Sequence, residues 1–173
     1  MWFTSDTHFG HANILKYCPD TRRYKDIHEH DEALIRAWND RVGSSDDVYH
    51  LGDFAFMQPH QIENVLHRLN GRIHLIVGNH DRVANFELMP KIVTITPYHE
   101  VKVSKKKSFV LFHYPIESWN KSHHGSIHLH GHTHGSVKHH PHQPKAKRMD
   151  VGVDCHPENA PFSVDEILRH VGD

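Results

Sequence analysis

The sequence predicts one layered α/β domain, built on a mixed sheet or on two packed sheets. Its 173 residues suit a single domain with a real core. The first half alternates short apolar runs with segments of helical apolar spacing, and the second half reads as strand after strand.

Each element has its own signal. Met1 to Ser5 is a short buried strand halted by polar Asp6. Asp31 through Val42 sets Ala33, Leu34, Ala37, Trp38 and Val42 at helical spacing behind an acidic stretch. Val48 to Leu51 is a second strand, stopping at Gly52-Asp53. Ile62, Val65, Leu66 and Leu69 mark the next helix, closed near Asn70-Gly71. Ile73 to Val77 is a third strand and runs into Gly78-Asn79-His80-Asp81.

Beyond that point Ile92–Ile95, Tyr98–Val103 and Ser108–Phe112 read as tightly joined strands, with Lys105 to Lys107 in a solubilising turn. Ile127–His130 and Met149–Val153 are further strands. Phe162 to Val171 is a closing helix with Ser163 as its cap. The His-, Pro- and Lys-rich loop from Val137 to Arg148 is the expected mobile segment, and His139, His140 and His142 within it are expected at the surface.

Composition narrows the function. Lys and Arg number 20, Asp and Glu 21, so no basic nucleic-acid surface or acidic tail dominates, and stable nucleic-acid binding is not indicated. The 22 histidines are the anomaly, and protonating them all would carry the net charge from −1 to +21. No apolar run approaches the roughly 18 residues of a spanning helix, and no signal-peptide pattern is visible, so a cytoplasmic protein is expected. Cys18 and Cys155 make no disulfide framework and have no zinc-site spacing, which leaves them free thiols.

The chemistry collects where strands end. The first three strands run into Asp6-Thr7-His8, Gly52-Asp53 and Gly78-Asn79-His80-Asp81, and the later half adds Phe112-His113 and Gly131-His132-Thr133-His134. Loops at the carboxyl ends of strands converge in open α/β sheets. Glycines beside ligands let the backbone turn sharply and approach an ion closely. Mixed carboxylate, imidazole and carboxamide donors suit manganese, iron, zinc or a similar ion rather than an all-oxygen calcium cage.

These five blocks, in this order, resemble the calcineurin-like metallophosphoesterase superfamily. The likeness runs from Asp6 to His134 and is strongest to its short bacterial and phage branch, through Ser5-Asp6-Thr7-His8-Phe9-Gly10-His11 and the stretch His123-His124-Gly125-Ser126. It implies a layered α/β/β/α sandwich, residues 1–173 forming one domain without a cap. It implies two divalent ions, manganese first and iron, zinc or nickel as alternatives. Asp6, His8 and His134 would hold one ion; Asn79, His113 and His132 the other; Asp53 would bridge them. His80 would face the substrate phosphate and leaving group, oriented by Asp81.

Two ions roughly 3.5–4 Å apart lower the pKa of a bridging water and clamp phosphoryl oxygens during in-line attack. With charge +4 against −2 from Asp6 and Asp53 and −1 from a hydroxide, the centre favours anionic phosphate esters. The expected activity is phosphoester hydrolysis, on diesters first and including nucleotide-type small molecules. A phosphomonoesterase and a non-catalytic metal-binding scaffold are the alternatives, and oligomeric state is left open. His11, Arg22, Arg23 and His123 are candidate substrate contacts, whereas His50 is expected in the core or behind the ligands. One departure stands out: many members carry a second Asp three residues after the bridging one, and here that residue is Phe56.

Overall fold

The computed structural model describes residues 1–137 and 147–172, so His139, His140 and His142 lie outside the described residues. Nine strands are present in them: β1 (Trp2–Thr4), β2 (Asp47–His50), β3 (Arg72–Ile76), β4 (Ile92–Thr96), β5 (Tyr98–Lys102), β6 (Ser108–Phe112), β7 (Ile127–His130), β8 (Arg148–Asp150) and β9 (Phe162–Ser163). The helices are α1 (Ile14–Tyr17), α2 (Ile27–Asn39), α3 (Pro59–Arg68) and α4 (Val164–His170).

The strands form two sheets, ordered β4-β3-β2-β1-β9 and β5-β6-β7-β8. β1 to β4 run parallel, with β9 antiparallel on the β1 edge. β6, β7 and β8 are parallel, and β5 is antiparallel to β6. The chain changes sheet at Pro97, between Thr96 paired with Ile76 and Tyr98 paired with Phe112. A proline has no N–H to continue either ladder, so the break falls where it costs least.

Strand alternation explains the layers. Phe3, Leu51 and Ile76 of the first sheet meet Phe109, Leu111, Leu129 and Met149 of the second in an apolar seam. On the other face of the first sheet, Val48, Ile73 and Leu75 pack against Leu34, Ile35 and Trp38 of α2 and Ile62, Val65 and Leu66 of α3. Each such side chain contributes roughly 1.5–3 kcal/mol by leaving water. The expected layered sandwich is therefore the architecture found.

Several boundaries differ from the sequence reading, for local reasons. α2 starts at Ile27 rather than Asp31, because the Asp26 side chain accepts from the Glu29 N–H and caps it there. Ser163 does cap the last helix, in a reciprocal box with Glu166, but Phe162 and Ser163 first pair with β1. β8 ends at Asp150; Val153 instead donates its N–H to Ser5 O and enters a 3₁₀ turn, Val153–Cys155. The single helical turn α1 had no periodic signal to announce it.

The register aligns the functional ends. Thr4 sits beside His50 and His50 beside Leu75, so the first three strands finish at one edge. Leu111, Leu129 and Met149 are likewise level in the second sheet. A bridge between Ser5 and Gly152 brings the two edges together.

Candidate metal centre

The loops leaving these strand ends are held in an uncommon backbone conformation. Asp6, His8, Asp53, His132 and His134 have φ of 55°, 49°, 56°, 67° and 45°, in the left-handed region that non-glycine residues seldom occupy. Such positions cost of order 1–3 kcal/mol each and collect at functional sites. Close glycines make room for them. A Cβ on Gly52 would stand 2.5 Å from Gly78 N and 2.7 Å from His113 Nδ1, and one on Gly131 would collide with Ser5 Oγ and the Asp6 carboxylate.

Two donor sets result, and a third group overlaps the first. Asp6, His8 and His134 form the first and Asp53, His113 and His132 the second, while Cys18 and Asp154 make the overlapping group by sharing His134; the ligand atoms of each lie within 4.8 Å of one another. Asn79 adds its carboxamide to the second, Oδ1 lying 2.9 Å from His113 Nε2. The Asp53 Oδ2 atom is 3.8 Å from His8 Nε2 and 3.6 Å from His113 Nε2, which places this carboxylate between the sets. The seven residues expected to ligate are thus brought together.

The donors are arranged for cations rather than for one another. Asp6 Oδ1 and both ring nitrogens of His8 are buried without a hydrogen-bond partner. Burial pushes the Asp6 carboxyl up to about 7, and burial together with nearby Arg22 pushes His8 down to about 2. A cation held by these two residues would favour an ionised Asp6 beside a neutral His8. His113 Nδ1 lies 2.7 Å from Leu51 O, and because a carbonyl only accepts, Nδ1 carries the proton and Nε2 keeps its lone pair for an ion. These residues could hold two divalent ions of the kind that take nitrogen and oxygen donors.

No protein-family profile matches the chain. A Methanocaldococcus jannaschii protein, MJ1445, described as uncharacterized, is 34% identical over 98% of this chain and 89% of its own length. This chain belongs to the family of that archaeal protein. The Gene 66 proteins of Mycobacterium phages L5 and D29 are each 28% identical, over 89% and 100% of the chain and 86% and 96% of their own lengths. Among solved structures, an Aquifex aeolicus protein of unknown function, AQ665, superposes with TM-score 0.77 at 25% identity over 98% of both chains. A Streptococcus pneumoniae protein described as a predicted phosphoesterase matches at TM-score 0.44 and 15% identity, a likeness too slight to bear on function.

In this member of the family the centre opens into a cleft of about 740 Å³, lined by His8, His11, Asp53, Asn79, His80, His132 and His134 together with Tyr17 and Phe56. His80 is exposed there, and its N–H donates to Asp53 Oδ1 at 2.9 Å. Phe56 answers the missing acid with an aromatic wall: its ring stacks on His11 at 4.0 Å and lies 4.8 Å from His80 and 5.4 Å from His8.

Expectations for four residues are corrected. Asp81 does not reach the His80 ring; its carboxylate accepts from the N–H groups of Asp53, Phe54 and Gly78, and so fixes the turn that carries the bridging Asp. Arg22 is no substrate clamp: it is 2% exposed and donates to Asp154, to Asp6 O and to Thr7 O. Arg23 and His123 do not line the cleft; Arg23 borders a separate groove with Tyr24 and His156, and His123 sits exposed in the turn Ser122–His124. His11 does line it.

His50 is buried, as expected, with Nε2 3.0 Å from Thr7 Oγ1. His128 and His130 are buried too: His128 Nδ1 donates to Val110 O while its Nε2 accepts from the Ile116 N–H, and His130 Nδ1 lies 2.9 Å from Gly131 O. Sequence reasoning missed the acids that brace the ligand loops. Asp31 accepts from Gly10 N, Asp150 from Thr133 Oγ1 and Gly135 N, and Asp154 from His134 Nδ1. None sits in a recognisable motif. Among the described residues no helix is long and apolar enough to cross a membrane.

Proposed function

We propose that the protein is a dinuclear-metal phosphoesterase, acting on diesters by preference. One observation carries the reading: the Asp53 carboxylate stands between Asp6, His8 and His134 on one side and Asn79, His113 and His132 on the other, with Oδ2 3.8 Å from His8 and 3.6 Å from His113. Bound in those sets, two divalent ions would supply an activated water and electrophilic charge for the phosphoryl oxygens. Asp6 and Asp53 supply only two negative charges against four positive ones, so the centre draws an anionic ester.

The chain's own residues do the rest. Asp81 accepts from the Asp53 and Phe54 N–H groups and from Gly78 N, tying the Gly52–Phe54 turn to its own and steadying Asp53 between the sets. His80, exposed in the cleft, with its backbone N–H donating to Asp53 Oδ1, would protonate the leaving oxygen. The Phe56 wall limits the approach on the His11 side. A cleft of about 740 Å³ has room for both halves of a small diester, nucleotide-type substrates included, which favours diesters over monoesters.

The test is hydrolysis of bis-p-nitrophenyl phosphate and of p-nitrophenyl phosphate with Mn²⁺, Ni²⁺ or Zn²⁺, with and without chelator. Metal-dependent turnover favouring the diester is expected. Faster turnover of the monoester would make the protein a phosphatase, and ion binding with no turnover of either would make it a scaffold.

A further inference from the structure

The two donor sets are not supported alike. In the first, His134 Nδ1 lies 2.7 Å from Asp154 Oδ2. Arg22 in turn grips that carboxylate at both oxygens, with Nη2 2.6 Å from Oδ2 and Nε 2.9 Å from Oδ1, and Thr21 Oγ1 donates to Oδ1 as well. The same guanidinium donates to Asp6 O at 2.5 Å and Thr7 O at 3.1 Å. One buried arginine therefore ties the turn carrying Asp6 and His8 to the carboxylate behind His134. In the second set the corresponding partner is neutral: His113 leans on the Leu51 carbonyl, and Asn79 and His132 are exposed.

A carboxylate behind a ligating imidazole fixes its tautomer, aims its other nitrogen and raises its donor strength, and losing such a partner costs roughly 10- to 100-fold in metal affinity. A backbone carbonyl does the first two with less charge. We propose that Asp154, locked by Arg22, is the positioning residue for His134, and that this makes the Asp6–His8–His134 position the tighter of two unequal ion positions. The inference rests on the two-ion reading but not on the reaction catalysed. It also explains why Arg22 is buried, since from behind the ligands it holds one half of the centre together.

The experiment reads ion binding rather than turnover. Calorimetric titration of chelator-treated protein with Mn²⁺ should resolve a tighter and a weaker event. His132→Ala should remove the weaker and His134→Ala the tighter, which assigns them. Asp154→Asn, close in shape to the original, should weaken the tighter event by roughly 10- to 100-fold and leave the weaker near its original affinity. Two equal events, or an Asp154→Asn protein that binds both ions as before, would overturn the proposal while leaving the dinuclear reading intact. No ion binding in the unsubstituted protein would overturn the dinuclear reading itself. Should Asp154→Asn not fold, nitrogen NMR of the Zn²⁺-loaded unsubstituted protein decides: His134 must show its proton on Nδ1 and its metal on Nε2, and the reverse arrangement sinks the proposal.

Discussion

The Phe56 ring lies nearly flat on His11, with centroids 4.0 Å apart and planes 18° from parallel. The pair forms a side wall of the cleft. Stacked aromatic pairs contribute about 0.5–1.5 kcal/mol beyond the area they bury. Phe56→Ala should therefore leave both ions bound and raise KM roughly 2- to 10-fold, because His11 loses the surface that holds its ring. Steady-state kinetics beside metal analysis checks this; unchanged KM would mean that the wall does not meet the substrate.

His80 and Asp53 are linked by one hydrogen bond but should fail differently. His80→Ala removes a ring that lines the cleft without joining either donor set. It should keep both ions and lose turnover by about 10²- to 10⁴-fold, the usual range for a general acid or base. Asp53→Asn should weaken binding of both ions together, since its carboxylate lies between the two donor sets. Metal content and rate measured on the same samples separate the two, and a His80→Ala protein lacking an ion would contradict the assignment.

Acid should destabilise the fold through histidines outside the centre. Burial, assisted by His113, pushes His50 down to about 3, and burial likewise pushes His128 down to about 3. In the unfolded chain both titrate near the ordinary value of roughly 6.5. Below that pH the unfolded chain takes up protons that the folded chain refuses, so unfolding is favoured as pH falls from about 6.5 toward 3. Above it both states are neutral and the contribution is whole. Each unit of difference is worth about 1.4 kcal/mol. The urea midpoint of chelator-treated protein should fall as pH drops below about 6.5, and His50→Gln should make that fall shallower.

The strand ends were readable because both of their signals are local: an apolar run, then glycine beside a ligand type. Asp6, Asp53 and Asn79 could be placed at one edge from those signals and from the habit of parallel strands. Asp154 could not. Its partners Thr21 and Arg22 lie more than a hundred positions away, and nothing in Val153-Asp154-Cys155 separates a brace from a surface acid. Arg22 and Arg23 are adjacent and equal as candidate substrate contacts in the sequence, yet one is buried and the other exposed, since Arg22 finds a ring of acceptors. Asp81 misled for the opposite reason. Its neighbour in sequence is His80, but the tight turn at Gly78 folds its carboxylate back onto the Gly52–Phe54 backbone instead.

Five residues of the candidate metal centre hold the left-handed backbone conformation without being glycine. At those positions a glycine would relieve strain, by up to about 1 kcal/mol where the conformation suits it. Selection for heat resistance alone would thus reward the loss of Asp6, His8, Asp53, His132 or His134, while selection for ion binding forbids it. Durability and chemistry pull against each other at the same five points of the chain, and a hardier descendant of this protein would have to find its gains elsewhere.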